Sequence, residues 1–104
     1  MELDEIRAFV AIASFRSVTR AADALRISQP CLTRKLVKLE GTLGFDLFER
    51  RGPTMEITPA GEVLLGHATR LSRDYDEALS VARELAVHTS AHRLRGRMRI
   101  SRSR

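Results

Sequence analysis

A single cysteine, Cys31, stands in the 104 residues, so no internal disulfide framework holds the chain. No apolar run is long enough to span a bilayer as a helix. The opening MELDEIR is acidic and does not read as a signal peptide, so a soluble cytoplasmic protein is expected. There is no glycine-rich loop of the phosphate-cradling type and no clustered carboxylate pair for acid–base work. Cys31 paired with a histidine would suggest nucleophilic chemistry, but His67, His88 and His92 all fall along the last helical segment. His88 and His92 are four apart, a spacing seen in metal pairs, yet no further cysteine or histidine accompanies them. An enzyme, a cofactor and a metal site are therefore not expected.

What is present suits one small domain followed by one long helix. Hydrophobic residues make up 43%, enough for a core, but a short chain buries a limited fraction of its surface. Further burial is expected from a partner subunit. The net charge of +5 is unevenly spread. Residues 1–59 hold nine basic and eight acidic side chains, whereas residues 93–104 hold six arginines and no acid. More telling is a local stripe: Arg16, Arg20, Arg26, Arg34, Lys35 and Lys38 against Asp23 alone. Such a stripe attracts phosphate, although an isolated basic run is more often a solvated face.

Apolar residues place the stripe on helices. Leu3, Ile6, Phe9, Val10 and Ala13 recur at helical spacing and predict a first helix over 3–14. Ser17 is a candidate N-cap for a short second helix whose apolar positions are Val18, Ala21, Ala22 and Leu25. After a tight connection at Arg26-Ile27, Ser28 caps a third helix with Pro30 in its first turn, where the missing N–H costs nothing. Leu32, Leu36, Leu39 and Leu43 form its core stripe, and Gly44 ends it. At about 100° per residue, Pro30, Arg34 and Val37 lie opposite the leucines, flanked by Thr33 and Lys38. A short helix, a turn and a longer helix with one leucine face describe a helix-turn-helix. The outward face of such a helix suits a major groove. Its first turn also offers free N–H groups to a phosphate.

Leu47–Arg50 and Met55–Ile57 read as two short strands about an Arg51-Gly52-Pro53-Thr54 turn, a wing with Arg50 and Arg51 at its tip. Thr58 and Pro59 start the last helix as N-cap and first helical residue. Gly61 stands where a capping box would want Glu. The helix is expected to end near 88–91. Leu64, Ala68, Leu71, Tyr75, Ala78, Ala82 and Leu85 alternate at four and three residues, an a/d seam over three heptads. At 1.5 Å per residue this helix would be roughly 45 Å long, too long for the preceding domain to cover, so a second copy is expected to pair with it. The expected fold is mainly α, a winged helix-turn-helix with a two-stranded wing and a long C-terminal dimerisation helix. The divisions are 1–58, 59–91 and a basic tail at 92–104.

Several blocks carry a resemblance: Phe9-Val10-Ala11, Thr19-Arg20-Ala21-Ala22, Ser28-Gln29-Pro30 and Leu32-Thr33-Arg34. Leu39-Glu40, Leu43-Gly44, Leu47-Phe48-Glu49-Arg50 and Thr58-Pro59-Ala60-Gly61 follow in order. Together they resemble the N-terminal DNA-binding domain and linker helix of LysR-type transcriptional regulators. The resemblance is strong over about two-thirds of the chain, from Leu3 to about Leu65. The segment Gly96-Arg97-Met98-Arg99-Ile100 is similar to the strand that opens the family's effector-binding domain, which would make this the DNA-binding portion of a longer bacterial protein.

The resemblance implies sequence-specific double-stranded DNA binding as a homodimer in the cytoplasm, at the nucleoid. The helix at 28–43 would enter the major groove and the wing at 50–53 would approach the minor groove. Gln29, Pro30, Thr33 and Arg34 match base-edge and nearby phosphate positions; Ser17, Thr19 and Arg20 match backbone contacts. Ser28 belongs to the same DNA-contacting set, Lys38 fits a phosphate contact, and Arg50 and Arg51 match the wing. Pairing through the linker helix implies an interrupted palindromic operator. A tetramer, and contact with RNA polymerase, are implied only for the full-length protein; no membrane partner is. Arg16 stands where the family often has Gly, and Cys31 where small residues or Pro are usual. A different reading, a protein-interaction module built on the last helix, keeps the seam and makes the basic stripe incidental.

Overall fold

Hydroxyl side chains start three of the four helices among the described residues. Ser17 Oγ accepts the Arg20 N–H at 3.1 Å, Ser28 Oγ the Cys31 N–H at 3.2 Å, and Thr58 Oγ1 the Gly61 N–H at 2.9 Å. Each satisfies a donor that the helix cannot. They open α2 (Val18–Leu25), α3 (Gln29–Leu43) and α4 (Pro59–Ser90). The first helix, α1 (Leu3–Phe15), starts differently: the Glu2 N–H donates to Glu5 Oε1 at 3.2 Å. Between α3 and α4 lie β1 (Phe48–Arg51) and β2 (Thr54–Ile57), an antiparallel pair with Phe48 opposite Ile57 and Arg51 opposite Thr54. These elements belong to a computed structural model that describes residues 1–52 and 54–90. The expected turn residue Pro53 and the whole of 91–104, with His92 and the Gly96–Ile100 segment, lie outside the described residues.

The fold is the winged helix-turn-helix expected. Two helix ends explain residues that the sequence left open. Arg16 ends α1 at φ 54° and Arg26 ends α2 at φ 60°, both left-handed. This is the conformation glycine adopts most readily at a helix end, so Arg16 fills a glycine position at some backbone cost. Gly44, at φ 85°, closes α3 as expected.

The core gathers one face from every element of the domain. Phe9 and Ile12 of α1, Ala21 and Ala22 of α2, and Leu32, Leu36 and Leu39 of α3 are buried together. The small Ala21–Ala22 pair lets neighbouring helices approach closely. Phe48 of the wing reaches the same core, its ring edge-on to Phe9 with centroids 5.6 Å apart. Strand β1 begins one residue later than the sequence suggested, because Leu47 is wholly buried and its backbone is taken up by other partners. Its N–H donates to Glu40 Oε2 at 2.7 Å, and its carbonyl accepts from the Thr58 N–H at 2.9 Å.

The chain divides into two units, Met1–Ser72 and a second beginning at Arg73. The first unit therefore extends beyond residue 58 and takes in the first turns of α4. There Ala68 is 1% exposed within the core, and Leu64 and Leu65 pack against it. In the second unit, Tyr75, Ala78, Ala82 and Leu85 of the seam are exposed. The expected pairing seam thus has two kinds of residue. Ala68 is already enclosed by its own chain, with Leu64 half-buried beside it, and the exposed residues of the seam start at Leu71.

Candidate nucleic-acid interface

The leucine stripe of α3 decides what the helix presents outward. With Leu32, Leu36 and Leu39 buried, Ser28, Gln29, Pro30, Arg34, Val37 and Lys38 are exposed and Thr33 is half-buried. Every outward residue named from the sequence is thus accessible, on a helix whose back is fixed by packing. Cys31 is also half-buried, with its N–H held by Ser28.

That capping bond corrects one expectation. The first turn of α3 does not offer several free N–H groups. Ser28 Oγ takes the Cys31 donor, the Ser28 carbonyl takes the Leu32 donor at 3.0 Å, and Pro30 has none. Only the Gln29 N–H is left over in that turn. The start of α2 is more open. Ser17 holds the Arg20 and Ala21 N–H groups, leaving those of Val18 and Thr19 beside the exposed Thr19 and Arg20 side chains. The Arg20 guanidinium sits over the Phe15 ring, 5.3 Å from its centroid, which restrains a long side chain at this edge.

The wing separates its two arginines. Side chains alternate along a strand, so Arg51 shares one side with Glu49 and Glu56, and Arg50 the other with Met55. Arg51 is held between those carboxylates, at 3.4 Å from Glu49 and 3.3 Å from Glu56. Arg50 is exposed and has no ion-pair partner among the described residues. Gly52, at φ 62°, makes the tip.

Three carboxylates with structural duties escaped the sequence reading. Glu40 of α3 accepts the N–H groups of Leu47 and Phe48, at 2.7 and 3.3 Å, and so ties the wing to the recognition helix. Glu5 is 3% exposed and lies 3.7 Å from Lys38. Asp4 bonds Lys35 at 2.6 Å; the bond holds the Asp4 carboxyl below its ordinary range and raises the Lys35 ammonium. The spacing of Glu2 and Glu5 at a helix start was a legible signal for their bond. Nothing local marks partners 31 residues apart, as Asp4 and Lys35 are.

Gly61 has a further reason to be glycine. A Cβ there would lie 2.5 Å from the Leu47 carbonyl oxygen and 2.8 Å from Ile57 Cγ1. The missing capping-box glutamate is explained by this close crossing of α4 over the wing base.

Residues 3–62 match the family model described as bacterial regulatory helix-turn-helix protein, lysR family. The chain belongs to the LysR family. The HTH-type transcriptional regulator PtxR of Pseudomonas aeruginosa is 40% identical over 101 residues, covering 97% of this chain and 31% of its own length. The BenM regulator of Acinetobacter baylyi is 38% identical over 83% of this chain and 28% of its own. This chain therefore spans under a third of either relative. Among solved structures, the BenM DNA-binding domain in complex with benA site 1 DNA superposes with a TM-score of 0.74 at 38% identity. It covers 83% of this chain and 97% of that one. The CbnR DNA-binding domain, also in a DNA complex, gives 0.73 at 34% identity, covering 83% of this chain and 99% of that one. Among the described residues, no helix is long and apolar enough to cross a membrane.

Proposed function

We propose that this chain binds double-stranded DNA sequence-specifically as part of a transcriptional regulator. One observation carries the reading: α3 keeps Gln29 and Arg34 exposed and Thr33 half-accessible while its leucines are buried, in a domain similar to two solved DNA-bound relatives. Arg34 can pair with guanine acceptors and Gln29 with adenine, and the Thr33 methyl can pack on thymine. Ser17, Thr19, Arg20, Ser28, Pro30 and Lys38 surround that face and would fix its register through the backbone. On the wing, Arg50 is the readier contact, because Arg51 already serves two carboxylates.

A homodimer through α4 is the second part of the proposal. Leu71, Tyr75 and Leu85 are 49%, 44% and 56% exposed, a run of large apolar side chains that one protomer leaves open. Two copies joined there would present two α3 helices to an interrupted palindrome. Tetramers and contact with RNA polymerase would belong to the whole regulator, as would its residence at the nucleoid.

Selection from a random-sequence duplex pool with the purified chain tests the reading. Enrichment of a two-fold symmetric motif is the expected result. A pool that stays unenriched, although the chain binds duplex, refutes specific recognition. Retention of DNA binding by a chain whose dimerisation has been abolished would favour an interaction role for α4 separate from the DNA site.

A further inference from the structure

We propose that Asp4 tunes the strength of DNA binding: it withholds Lys35 from DNA phosphates and so lowers the charge-driven affinity for duplex. The inference rests on the DNA-binding reading above and adds to it a residue of α1.

Three cations stand close together along α3, Arg34, Lys35 and Lys38, which would suggest a strongly basic surface. The start of α1 lies against it. Asp4, Glu5, Thr33, Arg34, Lys35 and Lys38 line one shallow groove. Within it Lys35 Nζ donates to Asp4 Oδ2 at 2.6 Å, and Lys38 Nζ stands 3.7 Å from Glu5 Oε2. The two lysines are not held alike. Lys35 is drawn in, with 27% of its side chain accessible, whereas Lys38 remains 72% accessible at a longer distance. Arg34 has no ion pair among the described residues. The geometry leaves Arg34 available, Lys38 partly so and Lys35 occupied.

The consequence follows from how DNA attracts protein. Non-specific binding is driven by counterions released as free cations meet phosphates, and the number of such cations sets the salt slope. A lysine already neutralised within the protein exchanges one partner for another and adds little. Asp4 itself also repels the phosphate backbone. Phosphate contacts carry no sequence information, so masking Lys35 lowers the charge-driven affinity for cognate and random duplex alike. An exposed ion pair contributes little to folding, which lets its effect on binding be measured separately.

Fluorescence anisotropy of the unaltered chain with a random-sequence duplex, over a series of salt concentrations, gives the reference slope. Asp4→Asn is expected to bind this duplex more tightly, with a slope of log K against log salt steeper by about 0.9 for each subunit in contact. Lys35→Gln alone is expected to leave the slope near the reference, and the double variant Asp4→Asn/Lys35→Gln to lose the steepening. An unchanged slope in Asp4→Asn, with the unaltered chain binding normally, overturns the inference alone. So does a loss of a full unit of slope in Lys35→Gln. Failure of the unaltered chain to bind duplex at low salt overturns the DNA reading and the inference with it.

Discussion

The third helix and the later turns of α4 carry apolar residues at the same spacing, and their fates differ. In α3, Leu32, Leu36 and Leu39 are almost fully enclosed by α1, α2 and the wing base. In α4, the residues from Leu71 onward at that spacing are exposed. A helical stripe states that one face avoids water; it does not state what covers it. For α3 the cover is supplied by the other elements of its own domain. For α4 it is supplied only as far as Ala68, which the domain core still reaches. Beyond that, a second copy is the proposed cover.

The sharpest way to break the comparison is to attack the covered stripe. Leu32→Ala removes a wholly buried side chain, and denaturant unfolding should register a loss of about 2–5 kcal/mol. A smaller value would mean that α3 is less tightly held than α4 is exposed. Next comes Gly61→Ala. The alanine gains about 1 kcal/mol of helix propensity but drives a Cβ into the Leu47 carbonyl. A net loss of about 1–3 kcal/mol is expected in the same assay, because a backbone atom cannot rotate aside.

On the outward side of α3, Arg34→Ala should cost about 1–3 kcal/mol on the selected site and much less on a scrambled duplex. Equal losses on both would reduce Arg34 to a phosphate contact. For the exposed stripe of α4, the double variant Leu71→Asp/Leu85→Asp should leave the unfolding of the first unit unchanged. The proposed dimer should weaken more than tenfold by sedimentation equilibrium, that is by over about 1.4 kcal/mol. A parallel loss of domain stability would show that these residues serve their own chain. The smallest effect is expected from Lys38→Ala. It should weaken selected and random duplexes alike and lower the salt slope by less than about one unit, since Glu5 already offsets part of the charge.

Much of this was legible because it is local. Ser17, Ser28 and Thr58 act on donors three residues away, and Gly44 on its own dihedral angle, so the helix boundaries could be read to within a residue or two. The α3 face followed from spacing alone. One local signal was misjudged. The tight cap at Ser28, with Pro30, consumes the very donors that a phosphate was expected to meet. Arg16, where the resemblance would put Gly, marked the left-handed end of α1, although the side chain itself does not show the backbone strain it tolerates. Glu40 reads as one more surface acid on a helix until the wing strand is folded against it.

The order of elements, the helix caps and the outward residues of α3 were determined by the sequence itself, since each depends on neighbours within a turn or two. Which charges remain available was decided only in three dimensions. Asp4 meets Lys35, Glu49 and Glu56 enclose Arg51, and Gly61 admits the Leu47 carbonyl through contacts that chain spacing does not encode. Electrostatic and steric effects act through distance in space, and packing is what turns separation along the chain into that distance.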